Sequence, residues 1–132
     1  MSQNKPIILL DPYPRTMDLL FSKENLKYLK NNFKLITAPN KNKNNFYEKN
    51  LPKADYIFGQ PNLPSSLISK STKLKAIFNV ESNFMDNMDY DYCFRKGIHV
   101  LATSPVFAQP VAEMAMGLTL SCLLYTSDAA DD

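Results

Sequence analysis

The run Pro6-Ile7-Ile8-Leu9-Leu10, stopped by Asp11-Pro12, decides the fold. It lacks the in–out alternation of a strand with one solvated face. It therefore reads as a strand buried on both sides, the mark of a parallel sheet covered by helices. Outward from it, apolar runs of the same kind recur at residues 33–37, 54–58, 75–80 and 98–101. Between them lie helix signals. Ser22 is an N-cap candidate, with Leu26 and Leu29 on helical spacing and Asn31-Asn32 as the stop. Residues 38–50, rich in Asn and Lys, read as a polar loop leading to a short helix. Asn62-Leu63-Pro64 opens a helix through Lys70, with Pro64 in its first turn. Asp86 or Asn87 caps another, which ends at Gly97. After Ser104-Pro105 a loop runs to Pro110, and residues 111–120 form an apolar helix.

This alternation predicts an α/β fold, a flavodoxin-like doubly wound five-stranded parallel sheet of order 2-1-3-4-5 with right-handed crossovers. Ligands of such open sheets bind beyond the carboxyl ends of the strands. The positions to watch are residues 11–15, 59–62, 81–84 and 104–107.

Composition narrows the chemistry. With 132 residues, 45% hydrophobic and 21% charged, the chain is sized to bury one soluble core without staples. A net charge of +2 gives no reason to expect nucleic acid. No run approaches the roughly 18 apolar residues of a membrane span, and the first residues carry no secretory signal. Cys93 and Cys122 make no disulfide framework, so the expected location is the cytoplasm. The three glycines, Gly59, Gly97 and Gly117, are too scattered to write GxGxxG or GxxxxGK[ST]. His99 is the only histidine, and neither HExxH nor CxxC occurs, so no metal site is expected.

Single residues that look catalytic have plainer readings. Asp86 and Asp89 suit a helix cap and first turn. His99 falls at the start of a strand, where an edge imidazole is expected. Cys93 sits between Tyr92 and Phe94 and reads as core packing. The Lys- and Asn-rich residues 41–53 are interrupted by Glu48 and read as a solvated loop.

From Leu74 to Leu120 the chain resembles the D-isomer-specific 2-hydroxyacid dehydrogenases. Asp86-Asn87-Met88-Asp89, Lys96-Gly97-Ile98-His99-Val100 and Val111-Ala112-Glu113-Met114 match that family's DNxD element, GIxV strand entry and VAE helix start, in order. The resemblance implies a substrate-binding domain over residues 1–105. A loop and the start of an inter-domain helix follow over 106–121, leading to an NAD-binding domain not contained here. It implies an oxidoreductase acting on small 2-hydroxy or 2-oxo acids with NAD or NADP, homodimeric when complete. The family's catalytic Arg, Glu and His, and its dinucleotide turn, lie further along, so this piece is expected to be inactive and to bind no cofactor alone. The loop that holds the substrate carboxylate maps to Ser82, Asn83 and Phe84, with Ser82 and Phe84 where the family often has glycine. Phe107 falls where relatives carry an aromatic facing substrate.

Residues 122–131 back-translate as TGT CTC TTA TAC ACA TCT GAC GCT GCC GAC, which looks like a transposase-type sequencing adaptor read in frame. Residues 122–132 are therefore expected to be foreign to the natural protein. The competing reading is a stand-alone flavodoxin-like binding or signalling module. A phosphoacceptor site would need clustered acids after the first strand and another Asp after the third. Asp11 is alone, and Gly59-Gln60-Pro61 follows the third strand.

Overall fold

Strands β1 (Ile7–Asp11), β2 (Lys34–Thr37), β3 (Tyr56–Gly59), β4 (Ala76–Phe78) and β5 (His99–Leu101) form one sheet of order β2-β1-β3-β4-β5. Every pairing is parallel. The computed structural model describes residues 5–81 and 83–128. The chain divides into two compact units, Met1–Ala102 and Thr103–Asp132, and the sheet belongs to the first.

Register explains the core. Leu9 lies opposite Ile36 on one side and Ile57 on the other, and Ile57, Ile77 and Val100 continue the row. Leu9, Ile57 and Ile77 are fully buried. Each such side chain contributes about 1.5–3 kcal/mol when removed from water. Helices α3 (Lys43–Asn50), α4 (Ser65–Ile68) and α5 (Tyr90–Arg95) cover this face through Tyr47, Leu67, Ile68 and Cys93. Cys93 is thus a core residue, and burial pushes its thiol up.

The other face carries Ile8, Tyr56, Phe58 and Phe78 against Phe21, Leu29 and Phe33, contributed by α2 (Lys23–Asn32) and its flanks after the short α1 (Met17–Leu20). Phe21 packs on Phe58 at 4.9 Å and Phe58 stacks on Phe78 at 6.3 Å. These rings line an open cavity of about 390 Å³. The cover thins toward β5, where Leu101 is exposed.

Several helix signals behave as the sequence predicts. The Ser22 hydroxyl accepts the Asn25 amide and starts α2, which stops at Asn32. Gly97 has φ +70, and the pair Ile98 N–H to Cys93 carbonyl and Gly97 N–H to Phe94 carbonyl closes α5 as a Schellman cap. Others differ. α4 ends at Ile68 rather than Lys70, with Pro64 as its N-cap. The cap of α5 is Asp89, which accepts the Tyr92 amide at 2.8 Å, and not Asp86 or Asn87. The reason is a parallel bridge between Leu63 and Met88 that holds residues 87–89 extended, so helix cannot begin before Tyr90.

The second unit is α6 (Ser104–Asp128). The loop expected over 106–110 is instead helix, which runs through Pro110 despite the missing N–H. Pro105 sits in its first turn, where the lost donor has no intrahelical use. The helix continues past residue 121 without a break. Over Ser104–Tyr125 it is long and apolar enough to cross a membrane by length and composition, contrary to the sequence expectation. No unbroken apolar run exists there, but Glu113 is its one charged residue.

Candidate functional site

Three loops converge at the carboxyl edge of the sheet. At the end of β1, Asp11 is buried; its carboxylate accepts Lys43 Nζ at 2.6 Å and the Tyr47 hydroxyl at 3.0 Å. Burial, then the adjacent carboxylate, drives the Tyr47 phenol far up, so it stays a donor. Lys43 Nζ also lies 5.3 Å from the centre of the Tyr13 ring. This cluster fixes α3 to the end of β1, and sequence reading missed it because only the fold brings position 11 to 43 and 47.

Gly59 ends β3 beside Asp11, with φ +151. A Cβ there would stand 2.3 Å from the Asp11 carbonyl oxygen, so only glycine allows this approach. The chain then turns, and Gln60 reaches the loop after β4. Its Nε2 donates to the Asn83 carbonyl at 3.1 Å, and its Oε1 accepts the Glu81 amide at 3.2 Å. The Glu81 carboxylate accepts Arg15 Nε at 3.2 Å and Nη2 at 3.5 Å, which ties in the loop after β1. The Asn87 side-chain Nδ2 donates to the Pro61 carbonyl at 2.7 Å, a second link to the loop after β3.

Within the loop after β4, Asn83 and Phe84 are exposed, and among the described residues neither backbone N–H donates a hydrogen bond. The Phe84 ring packs edge-on against Tyr90 at 5.2 Å. The Tyr90 hydroxyl donates to the Met85 carbonyl at 2.7 Å, holding the following bend. Ser82, expected in the same cradle, lies outside the described residues. Phe107 is on the early part of α6, in the other unit, and half exposed rather than in a loop. The structure therefore places Asn83 and Phe84 in the segment between β4 and α5, exposed at the carboxyl edge of the sheet.

Of the two acids read as cap and first-turn residues, Asp89 caps α5 and Asp86 does not. Asp89 takes the Ser65 hydroxyl and the Tyr92 amide, and these two bonds, the Ser65 one first, hold its carboxyl below the usual range. His99 is exposed, and its backbone N–H pairs with Lys75 in the sheet ladder. Asn79, which follows β4, is buried, and among the described residues its carboxamide has no partner. No group of three His, Cys, Asp or Glu able to hold a metal occurs among the described residues. Nor does a dinucleotide fit. The turn after β1 is Pro12-Tyr13-Pro14, and the one after β3 follows its glycine with Gln60-Pro61, so neither lets backbone close on a pyrophosphate.

A parallel doubly wound sheet of order β2-β1-β3-β4-β5, with the loops after β1, β3 and β4 gathered at its carboxyl edge, defines an α/β domain of the flavodoxin-like kind. The family model described as D-isomer specific 2-hydroxyacid dehydrogenase, catalytic domain, matches residues 15–132, and the chain belongs to that family. Among solved structures it is similar to a phosphoglycerate oxidoreductase from Rhizobium etli, with 38% identity and a TM-score of 0.74 over 89% of this chain. The chain spans 36% of that protein's length. No curated protein matches it.

Proposed function

We propose that this chain supplies the substrate-carboxylate cradle of an NAD- or NADP-dependent D-2-hydroxyacid dehydrogenase and is inactive alone. The observation that carries this is the pair of backbone N–H groups at Asn83 and Phe84, after β4, that have no acceptor among the described residues. Two adjacent N–H groups suit one carboxylate, and binding the acid group there would leave C2 of a 2-hydroxy or 2-oxo acid facing the cleft beyond the sheet edge. The family resemblance adds Ser82 to the proposed cradle. Hydride chemistry belongs to residues outside this chain, since nothing in it fits the dinucleotide.

On the same reading, residues 1–105 are the substrate-binding domain and 106–121 lead into an inter-domain helix, not a membrane span. Residues 122–132 derive from an adaptor. The complete enzyme is a cytoplasmic homodimer without nucleic-acid partners.

The test is a titration of ¹⁵N-labelled chain with pyruvate. The Asn83 and Phe84 amide signals should move together while those of β2 stay fixed. Replacing Phe84 by Pro deletes one donor and should weaken binding about tenfold or more, the worth of a hydrogen bond to a charged group. An unmoved pair of amides at saturating pyruvate would overturn the reading. Calorimetry with NADH should show no heat; micromolar binding would contradict the domain assignment.

A further inference from the structure

We infer that Gln60 is the positioning residue of the carboxylate turn, its carboxamide clamping the backbone after β4 at two points. The inference rests on the proposed cradle. Its basis is the two-point geometry of one side chain. Oε1 accepts the Glu81 N–H at 3.2 Å while Nε2 donates to the Asn83 carbonyl at 3.1 Å.

In a parallel ladder a neighbouring residue donates to one carbonyl and accepts the N–H two positions later, as Leu63 does at Asn87 and Asp89. Gln60 accepts at 81 and donates at 83, the reverse order. β4 ends at Phe78, so the ladder does not reach 81–83. The carboxamide holds the backbone there instead. These bonds hold the Glu81 N–H and the Asn83 carbonyl to the loop after β3, while the Asn83 and Phe84 N–H groups have no acceptor among the described residues.

The sequence has a reason to need the device. The family's turn often uses glycine, and Phe84 here is not one, so conformational freedom is replaced by external restraint. Gly59 makes it reachable: its φ of +151 redirects the chain at the end of β3, just before Gln60. Arg15 braces the same segment from the other side through the Glu81 carboxylate.

The experiment compares wild type with Gln60→Leu, which removes both bonds, and Gln60→Glu, which keeps the acceptor and loses the donor. Two quantities are read by NMR on the full 132-residue chain: hydrogen exchange at the Glu81 amide and the pyruvate midpoint from the Asn83 and Phe84 signals. Gln60→Leu should speed Glu81 exchange about tenfold and weaken pyruvate about tenfold, with core amides of Leu9, Ile57 and Ile77 unchanged. Gln60→Glu should retain Glu81 protection and lose part of the affinity.

Wild-type affinity in Gln60→Leu, or equal loss of protection in turn and core, would overturn the clamp. If wild type does not respond to pyruvate, the cradle reading fails on its own. The exchange arm still decides whether Gln60 orders the turn.

Discussion

Gly59 and Asp55 show how much of the sheet's accuracy is settled by single residues. Gly59→Ala should cost at least about 2 kcal/mol in urea unfolding, because a Cβ meets backbone oxygen that cannot move without parting β1 from β3. Asp55 works at the opposite end of the same strand pair. Its carboxylate accepts the Ile7 N–H at 2.8 Å and Lys73 Nζ at 3.2 Å. Burial alone would raise this carboxyl, yet the Ile7 and Lys73 bonds outweigh burial and hold it below the usual value. A lowered folded-state pKa stabilises above the unfolded value, near 3.9, and the benefit fades as pH falls through the folded one. Asp55→Asn should therefore cost about 1–2 kcal/mol at pH 7 and much less near pH 2, measured by unfolding at both. Sequence reading placed Asn83 and Phe84 correctly on a turn past a strand end. It also marked the loops holding Asp11, Arg15 and Gln60 as positions to watch, but not their pairings, since each depends on partners 20 or more residues away.

At the scale of elements, signals carried by local chemistry were legible and those set by tertiary contact were not. Ser22 as a cap and Gly97 as a left-handed stop need only their own turn. Gly97→Ala tests this: nothing lies within 4 Å of the added methyl, so the loss should be only the backbone cost, about 1 kcal/mol, well under that at Gly59. The start of α5 was misplaced because Leu63, a residue from another loop, holds Met88 extended. The start of α6 was misplaced for a different reason. Pro110 has the sequence appearance of a first turn, yet the helix tolerates it in its interior, at the loss of the bond to the Val106 carbonyl.

At the scale of the whole molecule, the two units differ in how they treat apolar surface. The sheet unit encloses its core, whereas α6 exposes Val111, Met114, Met116, Leu118, Leu120 and Leu123. A contiguous surface of that kind drives association. Light scattering should show the chain self-associating as concentration rises, and Met114→Lys with Leu118→Lys should reduce it while the sheet unit melts unchanged. A monomer at all concentrations would count against this.

The strand order has a consequence for the chain as it is made. β1 is synthesised first and lies between β2 and β3, so these three can assemble as soon as Gly59 has left the ribosome. β4 and then β5 join the same side in order of synthesis, and no late strand has to be threaded between two earlier ones. The β3 edge, later replaced by β4, is therefore the site where a neighbouring nascent chain could add a foreign strand before the next native one arrives.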